Sequence, residues 1–221
     1  MIIDIVETLL LVYYSSALEL HSFLSSVEAN FNSISEARKA HLLQLSHYFQ
    51  EKYQAGHTPK AIVICTHNSR RSHLGQIWLA VAADYYGLPK LDTFSGGTEA
   101  TAFNPRAVAA LQRAGLQITT EDPTADNPMY QVFWNDSVEP YIAFSKKYAD
   151  EPNPSQNFAA IMVCTDADEH CPLVLGTDFR FSLPFDDPKA FDDTALESEK
   201  YDERCLDIAT EMFYCLSQVK L

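Results

Sequence analysis

The sequence predicts a three-layer α/β/α protein, in which helices cover both faces of a central parallel sheet of four strands. One observation is the regular alternation of strand-like and helix-like segments from Lys60 onward, which favours a parallel sheet with crossover helices. Another is the set of short runs that indicate strands, at residues 61–64, 91–95, 158–163 and 179–184. Ligands of such sheets bind beyond the carboxyl ends of the strands, so the loops after these runs are the candidate sites.

The composition indicates an acidic chain with one sizeable core. Its 221 residues include 30 acidic side chains against 16 lysines and arginines, and the net charge of −14 argues against nucleic acid or an anionic membrane as a partner. The apolar run at residues 9–14 is much shorter than a membrane span. Five cysteines are an odd number and no secretion signal precedes them, so we expect reduced thiols and a cytoplasmic protein.

Residues 1–57 are predicted to form a helical extension packed on the main domain, which would span residues 58–221. Ser33 and Glu36 have the spacing of a capping box, and Gly56 would end the helix that they begin. The extension could be a dimerisation or regulatory element, or it could simply pack beside the sheet. Its residues indicate no chemistry.

The main domain is predicted to contain helices at residues 72–86, from Pro105 to about Gly115, and from about Leu196 onward. Asn104 is a favourable N-cap for the second of these, and Cys205 and Cys215 would pack on the apolar face of the third. An insertion at about residues 122–156, rich in proline, aspartate and asparagine, interrupts the alternation. We expect a loop or hairpin there, which could cover the site.

The first group of candidate functional residues runs from Cys65 to Ser72, in the loop that joins a predicted strand to a predicted helix. A loop at a helix N-terminus offers unpaired amide N–H groups and the positive end of the helix dipole, so it suits phosphate or a similar oxyanion. The same field favours the thiolate form of Cys65, a candidate nucleophile, and Arg71 could hold two oxygens of the anion. The alternative is an inert buried cysteine at a strand end.

Two further groups of candidate functional residues follow later strands. Asp187, directly before Pro188, could donate a proton to a leaving oxygen, although this dipeptide is also ordinary turn chemistry. Cys164 and Cys171 lie on a short loop at the sheet edge where Cys65 is expected, and a two-electron reduction could use three such thiols in sequence. The alternatives are a core role for both cysteines, or a metal site with His170, although zinc normally takes a fourth convergent ligand.

Together these segments resemble the low-molecular-weight protein tyrosine phosphatases and, more closely, the thioredoxin-coupled arsenate reductases. The resemblance covers about Lys60 to the C-terminus, apart from the insertion, and implies their fold. It implies that Cys65 is the nucleophile, Asp187 the proton donor, and Cys164 and Cys171 the attacking and terminal thiols of a relay. It also implies that the oxyanion lies against the loop residues Thr66, His67, Asn68, Ser69, Arg70, Arg71 and Ser72.

Three positions depart from the pattern of these families. His67 stands where glycine is usual, and a left-handed backbone there would cost about 1 kcal/mol. Arg70 stands where the reductases often have a small residue, and it could be a solvated surface charge. Gln76 replaces an acidic residue that helps some of the reductases to bind potassium, so the sequence leaves open whether a potassium ion binds here.

Three functions remain open from the sequence. The first is reduction of arsenate to arsenite with thioredoxin as electron donor, and the second is hydrolysis of phosphotyrosine or small phosphoesters through a Cys65 phosphoenzyme. The third is regulation through oxyanion binding. We favour the first because a phosphatase has no need for Cys164 and Cys171. The expected partners are thioredoxin, or a phosphorylated protein or small phosphoester, and an inorganic oxyanion such as arsenate, phosphate or sulfate; no cofactor or metal is expected.

Overall fold

A computed structural model of the chain describes residues 17–135, 139–170 and 173–221. The predictions for residues 1–16 and for Cys171 lie outside these ranges, and the side chain of His170 is not described either. The helices are residues 17–29 (α1), Glu36–Gln54 (α2), Arg71–Tyr85 (α3), Pro105–Arg113 (α4), Thr165–His170 (α5) and Glu197–Ser217 (α6). The strands are Lys60–Cys65 (β1), Asp92–Gly97 (β2), Gln117–Thr120 (β3), Tyr130–Phe133 (β4), Tyr141–Ala143 (β5), Phe158–Met162 (β6) and Thr177–Ser182 (β7).

The central sheet has four strands in the order β2-β1-β6-β7, all parallel. The predicted fold class, a parallel four-stranded sheet flanked by helices, is therefore confirmed. β1 and β6 occupy the middle of the sheet and are almost wholly buried, as expected for apolar strands covered on both faces. Their register pairs Ile64 with Met162, so the segments that carry Cys65 and Cys164 leave the sheet side by side.

The N-terminal extension packs against the sheet edge and the last helix. The predicted capping box at Ser33 is wrong, because Ser33 lies in a 3₁₀ turn and its hydroxyl donates to Asn30 O. Ser35 caps α2 instead and accepts a hydrogen bond from Arg38 N at 3.2 Å. α2 then contacts β7 through His41, whose Nε2 is 2.6 Å from Ser182 O. In the described ranges, no helix has the length and apolar character needed to cross a bilayer.

The predicted insertion supplies β4 and β5 to a second sheet, in which β3, β4 and β5 pair antiparallel. β3 precedes the predicted insertion and was not expected as a strand. After β5 the chain returns to the central sheet, where Gly97 N donates to Lys146 O and Tyr148 N donates to Gly97 O, both at 2.9 Å. A Cβ on Gly96 would lie 2.4 Å from Tyr148 Cα, so only glycine permits this approach.

Candidate active site

The loop between β1 and α3 turns its carbonyl groups into the surrounding protein. All six carbonyls of residues 65–70 accept hydrogen bonds, at 2.8 to 3.3 Å. In the described part of the chain, the amide N–H groups of residues 67–70 donate to no protein acceptor. The loop therefore leaves these donors available for an anion at the N-terminus of α3. The donors to the carbonyls are, in loop order, Thr98 N, Glu99 N, Thr101 Oγ1, His73 Nε2, Asn104 N and Leu74 N.

Asn68 holds the loop in shape from its centre. Its backbone is left-handed, with φ 44°, whereas His67 is not among the residues with positive φ, so the strain anticipated at His67 does not arise. The buried Asn68 amide donates to Ser72 Oγ at 2.8 Å and accepts from Lys146 N at 2.8 Å. His67 itself lies at the surface, with Nε2 3.8 Å from Glu99 Oε2.

His73 holds the backbone of Asn68 in place. Its Nε2 is 3.0 Å from Asn68 O, and its Nδ1 is 3.2 Å from Ser95 Oγ. Burial lowers the pKa of His73 to about 3, so the ring is neutral. A carbonyl can only accept, so the proton lies on Nε2 and Ser95 donates to Nδ1.

Cys65 lies at the carboxyl end of β1 and is buried. Its Sγ is 3.1 Å from Ser72 Oγ. Because Asn68 Nδ2 already donates to that hydroxyl oxygen, the Ser72 proton is available to the sulfur. A hydroxyl that donates to sulfur stabilises the thiolate, which is the nucleophilic form.

Arg71 and Asp187 meet across the mouth of the loop. Arg71 is the first residue of α3, and its guanidinium donates to Phe185 O at 2.8 Å and to Asp187 Oδ2 at 2.6 Å. Its Nε is buried and has no partner in the described structure. The candidate proton donor and the candidate oxyanion ligand thus contact each other, and the Nε–H of Arg71 remains available to an anion.

Cys164 lies between β6 and α5 and is 1% exposed. Its Sγ is 3.4 Å from the hydroxyl of Thr66, the residue after Cys65, and 3.4 Å from Ala167 N. The structure therefore brings a second thiol to the edge of the oxyanion loop. α5 is fastened to β7 through Asp168, whose carboxylate is 2.6 Å from Ser182 Oγ and 2.6 Å from Arg180 Nη2.

No protein-family model matches the chain. An arsenate reductase of Bacillus licheniformis is 28% identical over 144 residues, which cover 65% of this chain and 84% of that protein. Arsenate reductase 2 of Staphylococcus epidermidis is 25% identical over 126 residues, which cover 57% of this chain and 75% of that protein. The chain is thus similar in sequence to the arsenate reductases. The match confirms the resemblance predicted from the three groups of candidate functional residues.

Among solved structures, a low-molecular-weight phosphotyrosine phosphatase from Vibrio cholerae is similar to this chain. The two align over 72% of this chain and 94% of that chain, with 15% sequence identity and a TM-score of 0.45.

Several residues that position the loop were missed in the sequence. Ser145 Oγ contacts His67 O at 3.3 Å and accepts from Thr101 N at 2.9 Å, and Asn127 bonds the backbone of Ser145 in both directions. These residues lie in the predicted insertion; Ser145 and Lys146 are each 78 residues from the loop atoms that they contact. No local pattern could have identified them.

The remaining loop arginine and the two other described cysteines do not face the loop thiol. Arg70 Nε donates to Tyr201 Oη at 2.7 Å, and its Nη2 is 3.2 Å from Asp192 Oδ2, so it is not a solvated surface charge. Cys205 and Cys215 are buried in α6, as predicted, and burial raises the pKa of each thiol to about 12. Both stay protonated and pack.

Proposed function

We propose that this chain reduces arsenate to arsenite through a relay of Cys65, Cys164 and Cys171, with thioredoxin as electron donor. The observation that carries the proposal is the contact between Cys164 Sγ and Thr66 Oγ1 at 3.4 Å, which puts a second thiol beside the loop of the nucleophile. A hydrolase has no use for a thiol at this position. The names of the sequence relatives support the same reaction.

The first step would be binding and attack. Arsenate would accept hydrogen bonds from the free amides of residues 67–70 and from Arg71 Nε. The Cys65 thiolate would attack arsenic, and one oxygen would leave as water with a proton from Asp187. Arsenic stays in the +5 state in this step, because a sulfur ligand has replaced an oxygen ligand.

The second step would transfer the electrons. The Cys164 thiolate would attack Cys65 Sγ, and the electron pair of the sulfur–arsenic bond would pass to arsenic, which leaves as arsenite in the +3 state. Cys171 would then attack Cys164 Sγ and release the Cys65 thiolate. A thioredoxin dithiol would reduce the Cys164–Cys171 disulfide, and a cytoplasmic location would keep the thiols reduced between turnovers.

The decisive experiment measures two reactions on the same variants. Arsenate reduction with thioredoxin, thioredoxin reductase and NADPH is compared with hydrolysis of p-nitrophenyl phosphate. Cys65→Ser should abolish both, and Cys164→Ser should abolish only the reduction. Cys205→Ser is the matched control, because this buried thiol accepts a hydrogen bond from Trp78 Nε1, which lies outside the loop of residues 65–72, and it should leave both rates intact.

Cys171→Ser tests the last transfer. The variant should complete one turnover, release one equivalent of arsenite and stop with a Cys65–Cys164 disulfide, which thiol counting and peptide mapping detect. Sustained turnover with thioredoxin would remove Cys171 from the relay. Arsenate reduction that survives in Cys164→Ser would overturn the proposal as a whole.

A phosphatase is the second candidate, because the contact between Arg71 and Asp187 brings together two of the groups that it requires. Hydrolysis of a phosphoester needs only a nucleophile, a cation and a proton donor, all of which the loop and its neighbour supply. Vigorous hydrolysis without any arsenate reduction in the wild type would establish this candidate in place of the reductase.

A further inference from the structure

A groove of about 600 Å³ lies between α3, β2 and the second sheet. None of the loop residues 65–72 lines it, so it is separate from the thiol site. Its walls are mainly apolar and partly aromatic, and the polar side chains that line it include Gln76 and Lys146. The apolar lining includes Ala80, Leu88, Leu91, Phe94, Trp134 and Phe144.

Lys146 puts an unpaired cation into this wall. The residue is 5% exposed, and its ammonium donates to Phe144 O at 3.2 Å and lies 4.5 Å from the centre of the Phe144 ring. In the described ranges, no carboxylate forms an ion pair with it. Burial lowers the pKa of Lys146 to about 8. At neutral pH most Lys146 side chains are therefore protonated and positively charged. A buried cation without a counter-ion is costly, and an anion would compensate it.

Two carboxylates line the same groove, and both have partners of their own. Asp84 accepts from Trp134 Nε1 at 3.0 Å and from Asn135 Nδ2 at 2.6 Å. Asp92 pairs with Lys90 at the rim at 2.9 Å. Neither carboxylate is within ion-pair distance of Lys146, so this ammonium can take an anion from outside.

Gln76 also lines the groove, and its side chain contains an acceptor without a partner in the described structure. The residue is 3% exposed, its Nε2 donates to Tyr141 Oη at 2.7 Å, and its Oε1 is buried without a partner. The amide cannot be turned round, because the single proton of Tyr141 is donated to Thr93 O at 2.6 Å. The free atom is therefore an oxygen that requires a donor.

We propose that this groove binds a small aromatic carboxylate that also carries a hydroxyl or amino group. The carboxylate accepts from Lys146, the hydroxyl or amino group donates to Gln76 Oε1, and the ring lies against the apolar walls. The groove has the size of sites for small organic molecules, and few polar groups in an apolar lining are typical of them. The proposal is independent of the reaction at Cys65.

Binding is tested by titration calorimetry with phenylacetate, neutral phenylacetamide, mandelate and the three hydroxyphenylacetates, without turnover. Phenylacetate should bind with a dissociation constant on the order of 1 mM and about tenfold more tightly than phenylacetamide. One hydroxylated acid should bind more tightly still. Lys146→Met should abolish the preference for the carboxylate, whereas Lys90→Met, the matched control, removes an exposed lysine from the same groove and should retain it.

Gln76→Met provides a second readout that leaves Lys146 in place. In this variant the hydroxylated acid should bind no more tightly than phenylacetate, and phenylacetate should still bind more tightly than phenylacetamide. Equal binding of phenylacetate and phenylacetamide to the wild type would indicate an apolar docking surface and overturn the proposal. Absence of saturable binding by every acid up to about 10 mM would overturn it as well.

Discussion

Two thiol segments leave the same edge of the central sheet, and the protein holds them in different ways. The loop from Cys65 to Ser72 is fixed from all sides, since each carbonyl of residues 65–70 accepts a hydrogen bond. The segment after Cys164 continues into the short helix α5, whose described polar ties centre on Asp168. An oxyanion site requires preformed geometry, whereas a relay thiol must travel to its partner. The contrast matches these two requirements.

The largest effect that tests this contrast concerns Arg71. Arg71→Lys should lower kcat/KM for arsenate by about 10³, because an ammonium cannot contact both Asp187 and the anion in the bidentate manner of a guanidinium. Steady-state kinetics and protection of Cys65 by sulfate against iodoacetamide measure the loss. Arg113→Lys, which alters a bidentate pair with Asp202 at the surface, is the control. Equal losses in both variants would contradict a preformed anion site.

A smaller effect is expected at Asn68. Asn68→Ala should lower kcat/KM by about 30-fold, since the left-handed backbone becomes strained and Ser72 and Lys146 N lose a partner. Asn157 has a similar backbone, with φ 58°, and is exposed outside the site. Asn157→Ala should therefore cost about 1 kcal/mol of stability and leave kcat/KM unchanged. If both variants lost activity alike, backbone strain alone would explain the result.

A few-fold effect is expected at Asp168. Asp168→Asn weakens the contacts to Arg180 and Ser182, so α5 should be released more easily and the first disulfide should form about threefold faster. Single-turnover thiol counting after arsenate addition measures this rate, with Asp202→Asn as the control. A slower relay would reverse the interpretation, because Asp168 would then position Cys164 for attack.

An effect on stability alone is a pH dependence from His73. Its pKa is about 3 in the folded protein and about 6.5 in the unfolded chain, so the unfolded chain binds the extra proton between these values. The contribution is fully present above pH 6.5 and is lost as the pH falls towards 3, at up to about 1.4 kcal/mol per pH unit. Urea denaturation at pH 7 and pH 5 should show a smaller difference in His73→Gln than in the exposed control His57→Gln.

Local patterns predicted the parts of the molecule that depend on neighbouring residues. The strand that ends at Cys65 and the helix that follows it are readable because an apolar run, a loop and an apolar helix are adjacent in the chain. Asn104 and Pro105 likewise begin α4 as expected, since N-capping is a contact between residues two or three apart. The capping pattern was misplaced by two residues, because Ser35 also has the right chemistry.

Contacts between distant segments could not be predicted in this way. β3 is a strand because it pairs with β4 across a long connection, and nothing in its four residues specifies that partner. Arg70 was expected to lie against the oxyanion or to be a surface charge, yet its guanidinium donates to Tyr201, which is 131 residues away. No sequence pattern singled out Lys146 within the predicted insertion. The chain returns to β2 at this residue, and this return brings Lys146 N to Asn68 and the Lys146 side chain to the groove.

The amides of residues 67–70, which donate to no protein acceptor in the described ranges, allow the folded state to bind common buffer ions. Any tetrahedral anion that binds only the native form shifts the unfolding equilibrium by mass action, so the melting temperature should climb with phosphate or sulfate concentration. In a phosphate-rich medium the protein would already have phosphate bound to the loop before arsenate arrives. Arsenate would then enter by exchange, and its apparent affinity would be set by how much phosphate it has to displace.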